Sequence, residues 1–384
     1  MSILKKIQYK IQWFYKVIFQ CCYKATTIFR PIQQNKVVIP LYRHKKLEGN
    51  IKAVYEELKK TQPQLEFQFI IPNNKVNLRQ FKEIAYISNA KYILLDDYYL
   101  PVYLIKPRKG TSIVQLWHAA GAFKKFGYST VDTKFGPSSS YLKIIPIHSH
   151  YTHVFVSSKN MIPYYAEAFH MSEERIYPIG VPRIDFFADE KYVKETNKKV
   201  LKSLTKEQQQ MVKILVAPTY RAANNYRESD LDMVEEILAI SKQIEKDKLI
   251  IFAGHPYMEE SKFDRLQKQS NIITNSQFSA NDWMPLADAF ITDYSSAIFE
   301  FGLLQKPLAH YVPDLEEYKK SRGLYNEIET ISDGPVLQKR TQLIEWINER
   351  KASEHFDTSR MVRYNFSKTK GIAKEIVEQL LKCE

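Results

Sequence analysis

The chain has 384 residues, 44% of them hydrophobic and 26% charged, which excludes wholesale disorder and is long enough for two domains. Lysines and arginines number 56 against 43 acidic residues, a formal net charge of +13, so the expected partners carry phosphate: nucleic acid, anionic lipid or a nucleotide-linked substrate. Three cysteines, two of them adjacent at Cys21 and Cys22, argue against a disulfide framework and against a zinc site.

Residues 1–32 read as one amphipathic helix. From Ile3 to Phe29, residues such as Trp13, Phe14, Tyr15, Val17, Ile18 and Phe19 are interrupted at every fourth position by Gln8, Gln12, Lys16, Gln20 and Lys24, which draws a polar stripe along an apolar cylinder. Lys16 and Lys24 would be costly inside a membrane span, and the clean apolar core and cleavage site of a signal peptide are not evident. The expectation is a helix lying in the membrane interface, aromatic residues buried there and lysines toward anionic head groups. The alternative is a helix packed on the protein's own core.

Beyond Pro31, short apolar runs alternate with amphipathic stretches, the pattern of parallel sheets covered by helices. Strands are expected at Lys36–Tyr42, Glu66–Ile71, Tyr92–Leu95, Ser112–Trp117, His153–Val156 and Arg175–Ile179. In the second half they are expected at Lys213–Pro218, Leu249–Ala253, Asn271–Thr274, Ala289–Thr292 and Pro307–Tyr311, with helices such as Leu231–Glu245, Ser295–Leu304 and Ile372–Leu381. The charged stretch Asp189–Gln210 reads as a linker plus a surface helix, which divides the chain into an α/β domain at 33–188 and a second at 189–384, both doubly wound and Rossmann-like.

In such sheets ligands collect beyond the carboxyl ends of the strands, so the residues just after each strand are the candidates for chemistry. His118 follows the strand Ser112–Trp117, with small residues behind it and Lys124 and Lys125 close by. Imidazole, titrating near ~6.5, is the usual proton acceptor at neutral pH. His255 follows Leu249–Ala253 in Gly254-His255-Pro256. One histidine at the rim of each domain would let the two face each other across an interdomain cleft, and His255 capping a turn beside Pro256 is the alternative left open. Asp293-Tyr294-Ser295-Ser296 lies between a strand and a helix start, where hydroxyls and uncovered N–H groups suit a phosphate; on spacing alone, N-capping is the commoner explanation. Arg221 and Arg183 also follow strands, and a guanidinium grips phosphate with two prongs; for each alone a surface ion pair is the commoner explanation, and it is the set of strand-end cations that points to phosphate. Neither a glycine-rich dinucleotide fingerprint nor an ATPase phosphate loop is present. His148, His150 and His153 read as a solvated loop cluster and not as metal ligands, since no carboxylate or cysteine accompanies them.

Together, Trp117-His118-Ala119-Ala120-Gly121 with Lys124-Lys125, Gly180-Val181-Pro182-Arg183-Ile184-Asp185, Pro218-Thr219-Tyr220-Arg221, Gly254-His255-Pro256 and Thr292-Asp293-Tyr294-Ser295-Ser296 resemble the CDP-glycerol glycerophosphotransferase family of teichoic acid synthesis. A further match runs from Lys306-Pro307 through Asp314-Leu315-Glu316 and Tyr318 to Arg322-Gly323, so the resemblance covers roughly 36–380. The resemblance implies a GT-B-like pair of domains, donor on the C-terminal half and acceptor on the N-terminal half. It implies His118 as base and His255 as assistant at the phosphate, with Arg221, Asp293, Ser295, Ser296, Arg183, Lys124 and Arg322 binding substrate. CDP-glycerol is then the donor, an undecaprenyl-diphosphate-linked saccharide the acceptor, and the cytoplasmic face of the membrane the location, with no cofactor, no metal and no nucleic acid. Ala119-Ala120-Gly121 stands where many relatives have Gly-Thr-Pro, and this departure together with the short length is similar to the primase branch; CDP-ribitol is the alternative donor and chain extension the alternative outcome. Rivals are a sugar transferase of the same architecture and a non-catalytic basic protein that binds membrane or nucleic acid.

Overall fold

Parallel strands covered on both faces need near-continuous apolar runs. The computed structural model of the chain, which describes residues 3–41, 46–72, 76–221, 231–255, 258, 260–274 and 277–382, builds such runs into two six-stranded sheets. The first contains β1 (Gln33–Pro40), β2 (Glu66–Ile70), β3 (Ala90–Leu95), β4 (Ser112–Gln115), β5 (His153–Phe155) and β6 (Ile176–Tyr177), in the order β2-β1-β3-β4-β5-β6. The second contains β7 (Val212–Val216), β8 (Lys248–Phe252), β9 (Ile272–Thr274), β10 (Ala289–Thr292), β11 (Leu308–Tyr311) and β12 (Val336–Leu337), in the order β12-β11-β10-β7-β8-β9. All neighbours are parallel. The expected doubly wound α/β class is what forms. Each sheet reverses its winding once, between β1 and β3 and between β7 and β10, and the carboxyl ends at those points are where such folds hold ligands. Tyr42, the last residue of the first expected strand, lies outside the described residues.

The chain separates into one unit comprising Met1–Ala119, Phe126–Asp185 and Ser367–Glu384 and a second comprising Ala120–Lys125 and Phe186–Phe366. The division at 185 falls close to the expected one at 188. The tail differs: expected with the second domain, it belongs to the first unit. The reason is packing. Ile372, Ile376, Val377 and Leu380 of the helix Ile372–Lys382 are buried, and both oxygens of Asp185 accept from that helix's first N–H groups, at 3.1 Å from Ile372 and 2.9 Å from Ala373. Gly180 completes the seat, because a Cβ there would come within 2.8 Å of the Ile372 side chain. The charged stretch after Asp189 forms two helices, Glu190–Leu201 and Lys206–Gln210, the first capped by Asp189 and the second closed by a Thr205–Gln208 capping box.

The helix Ile3–Phe29 forms as expected, and it presents its faces differently. Phe19 and Tyr23 are buried in the first unit, Tyr15 donates to Asn77 O and Gln80 Oε1 (2.8 Å each), and Lys16 from the polar stripe donates to Ile144 O at 2.6 Å. Ile3, Leu4, Ile7, Ile11, Phe14 and Ile18 form an exposed stripe on another side. Part of the polar side therefore faces protein, since Tyr15 and Lys16 find backbone oxygens there that aliphatic residues could not satisfy. No described helix is long and apolar enough to cross a membrane.

Candidate functional site

In the first unit, the site is built on the residues that leave β3 and β4. Leu95 and Gln115 are register partners, and Leu116 N–H donates to Leu95 O at 2.7 Å, so Asp96–Asp97 and Trp117–His118 emerge side by side. Trp117 takes a left-handed φ of +53°, a conformation that a bulky residue holds only when its neighbours over-determine it. Here its N–H donates to Gln115 Oε1 (2.9 Å), its carbonyl accepts from Asn50 Nδ2 (2.7 Å), and its ring stacks on Phe126 at 5.1 Å. The same indole stacks on the His118 ring at 4.3 Å. His118 Nδ1 lies 2.9 Å from Asp96 O. A carbonyl only accepts, so Nδ1 carries the proton and the lone pair of the neutral ring sits on Nε2. Arg183, expected to grip phosphate, donates from Nη1 to His118 O at 2.8 Å and from its backbone to Asn50 Oδ1 at 3.0 Å, which ties it to the same loop.

Of the three histidines expected in a solvated loop, His150 is half-buried and the other two are buried. His148 is 1% exposed and His153 6%. His148 sits at φ +59° among Tyr98, Trp117, Tyr151 and Phe169, its Nδ1 3.1 Å from Tyr151 OH. Burial pushes its pKa down to about 3, and burial likewise holds the second unit's His310 down at about 4. Both are neutral in the fold and titrate near 6.5 when unfolded, so below that pH the unfolded chain takes up protons the folded chain refuses. Their contribution is complete above pH ~6.5 and is lost as pH falls, by up to about 1.4 kcal/mol per pH unit for each. Thermal melts between pH 7 and 4.5 should show that decline, with a shallower slope in His148→Phe; an unchanged slope would show that His148 does not contribute to it.

In the second unit the rim is a charge network at the β7/β10 reversal. Asp293, fully buried, accepts from the N–H groups of Thr219 and Tyr294 (2.7 Å each) and from Arg221 Nη2 at 3.0 Å. Arg221 Nη1 reaches Asp314 at 2.6 Å, Tyr294 OH donates to the other Asp314 oxygen at 2.9 Å, and the Tyr294 and Tyr318 rings stack at 3.7 Å beside the guanidinium. Burial opposes charge on Asp293, yet Arg221, the Thr219 N–H and Lys124 together hold its carboxyl below the usual range. Lys124 comes from the segment 120–125, which bridges to Leu324 and donates from Nζ to Thr219 Oγ1 at 3.4 Å. That segment needs Gly121: at φ +66°, a Cβ would lie 2.5 Å from the Phe299 ring. Arg322 closes the helix Leu315–Ser321 next to the strand-like residues 323–325 that meet this segment. Ser295 Oγ accepts from Ala297 N–H at 3.3 Å, whereas Ser296 makes no side-chain cap on the six-residue helix Ala297–Gly302. His255 stands after β8, its ring 5.5 Å from that of Tyr220, and Pro256 lies outside the described residues.

His118, Arg221, His255, Asp293, Ser295 and Ser296 follow strands directly, Lys124 reaches Thr219 and Arg322 follows a helix; His118 and Arg183 lie in the first unit and the others in the second. Asn50, Asp97 and Gln115 were absent from the expectation. Asp97 carried a usable signal, as a carboxylate just after an expected strand.

A family model described as CDP-glycerol:poly(glycerophosphate) glycerophosphotransferase matches residues 22–378. The teichoic acid ribitol-phosphate primase of Bacillus spizizenii is 37% identical over 91% of this chain and 90% of its own. The teichoic acid glycerol-phosphate primase of Bacillus subtilis is 28% identical over 77% of this chain and 80% of its own. Among solved structures, that of the wall teichoic acid polymerase TagF superposes with a TM-score of 0.70 at 17% identity, covering 100% of this chain and 98% of that one, a likeness of fold. The chain belongs to the CDP-glycerol:poly(glycerophosphate) glycerophosphotransferase family and is an enzyme of that type.

Proposed function

We propose that this family member is a primase of wall teichoic acid synthesis, moving one alditol phosphate from its CDP ester to a lipid-linked saccharide and releasing CMP. Glycerol phosphate is the unit the sequence motifs suggest first. The greater identity to a ribitol-phosphate primase, across nearly the whole of both chains, favours ribitol phosphate.

The observation that carries the reading is His118, whose Nδ1 is committed to a backbone carbonyl and whose Nε2 is left as the basic atom. The acceptor hydroxyl attacks the alditol-bearing phosphorus in line. Its oxygen bonds to phosphorus, its proton passes to Nε2, and the bond to CMP breaks. Lys124, Ser295, Ser296, Arg322 and His255 supply donors and positive charge for the diphosphate, and positioned charge is the main contribution a protein makes to phosphoryl transfer. Arg183 and Arg221, engaged with His118 O and with two carboxylates, act by holding the rim loops. The reading invokes no cofactor.

The test is the purified chain with CDP-ribitol or CDP-glycerol and a short-chain lipid-linked disaccharide, with and without one glycerol phosphate attached, read by CMP release and product mass. One added unit supports a primase. A ladder of products would make the enzyme a polymerase, and turnover only with nucleotide sugars would overturn the reading.

The reaction's lipid acceptor gives the exposed stripe of the N-terminal helix a use: Ile7, Ile11, Phe14 and Ile18 enter the cytoplasmic leaflet while Lys6, Lys10 and Lys24 meet anionic head groups. Ile11→Glu with Phe14→Glu should weaken binding to phosphatidylglycerol vesicles by about 10- to 100-fold. Equal sedimentation of variant and parent with vesicles would remove the helix from that role.

A further inference from the structure

We infer that Asp97 is the positioning carboxylate of His118, a role that rests on the proposal that His118 is the base. The parallel register of β3 and β4 places it: Asp97 lies two residues beyond Leu95, and His118 three beyond Leu95's partner Gln115. Its Oδ2 stands 3.8 Å from His118 Nδ1, with the two side chains 10% and 24% exposed. That distance exceeds a hydrogen bond, so the direct hydrogen bond of Nδ1 is the one it donates to Asp96 O. The carboxylate acts through space, and its effect grows when the ring becomes an imidazolium.

Several ties keep Asp97 there. Its Oδ1 accepts the Tyr98 N–H at 2.7 Å, and its carbonyl accepts from Gln115 Nε2 at 3.2 Å. Gln115 is fully buried and its Oε1 receives the Trp117 N–H, so one side chain fixes both the carboxylate's segment and the strained residue before His118. A buried carboxylate is costly unless a partner offsets it. When Nε2 takes the acceptor's proton, the positive ring forms beside a negative charge already in position, while Nδ1–H continues to donate to Asp96 O. Asp97 thereby stabilises the state that exists only once transfer is under way, and its loss should appear in kcat more than in donor binding.

The experiment compares Asp97→Asn, Asp97→Ser, His118→Ala and the Asp97→Asn/His118→Ala double variant of the full chain, assayed by CMP release from CDP-ribitol or CDP-glycerol with the lipid-linked disaccharide. Serine keeps an oxygen for the Tyr98 N–H and removes the charge, so it separates the electrostatic role from turn-holding and serves if the asparagine variant does not fold. Both single Asp97 variants should lose on the order of 10²-fold in kcat, with donor KM within about threefold of the parent. In the His118→Ala background the asparagine substitution should cost nothing further, as expected of groups acting as a unit. Parental kcat in Asp97→Ser overturns the inference, and so does an equal loss with and without His118. Full turnover in His118→Ala instead sinks the base assignment beneath it, which distinguishes the two failures.

Discussion

His118→Ala is expected to lower kcat by between about 10²- and 10⁴-fold, the range a positioned general base contributes, while the Kd for the CDP-alditol changes by less than about threefold. The asymmetry follows from placement. The ring is held by Asp96 O and by the face of Trp117, and in the proposed reaction its Nε2 contacts the acceptor's hydroxyl and not the donor. Removing it deletes the hydrogen bond to Asp96 O and the stacking on Trp117, roughly 1–2 kcal/mol of stability together, too little to unfold a domain of this size. Steady-state CMP release beside calorimetric titration of the CDP-alditol reads both quantities. Turnover within threefold of the parent would exclude His118 from the chemistry whatever its geometry.

Arg221→Met should act in the opposite place, on the fold. The guanidinium sits between Asp293 and Asp314, at 3.0 and 2.6 Å, with 11% of its side chain exposed. Deleting one member of a buried ion network leaves the remainder uncompensated, which costs about 3–5 kcal/mol. For a domain of this size each kcal/mol is worth about 2–4 °C, so a fall in Tm of roughly 10 °C is expected. Arg221→Lys should recover only part of it, since an ammonium does not span two carboxylates as a fork does. A variant that melts normally yet binds the CDP-alditol tenfold more weakly would restore the arginine to the phosphate and dismiss the clamp.

Much of the frame was readable from residue order because it depends on local pattern. Runs such as Val37-Val38-Ile39 and Leu249-Ile250-Ile251-Phe252 are apolar at every position, as strands buried on both faces must be. β12 is two residues long and carries no pattern to detect. What surrounds the histidine was hidden for a different reason. Asn50 reaches Trp117 across 67 positions and Gln115 reaches Asp97 across 18; the first depends on where the helix Gly49–Thr61 packs and the second on strand register, which hydrophobicity alone does not assign. His148 and His153 were misplaced because polar residues beside a turn usually face water, whereas here aromatic neighbours distant in sequence close over the first and Thr152 and Tyr177 cover the second. The arginines follow strands as expected, and protein oxygens distant in sequence already occupy them.

The chain passes from one unit to the other after Ala119, back after Lys125, across again after Asp185 and home after Phe366. Neither unit can therefore be released by a single cut. A fragment ending at 185 would keep the seat around Gly180 and lack the helix that fills it, and one starting at 186 would lack the strip carrying Lys124. On the ribosome, the helix Ile372–Lys382 that completes the first unit is made only after the entire second sheet, so the earlier-made half waits, partly uncovered, until residues 372–382 have emerged.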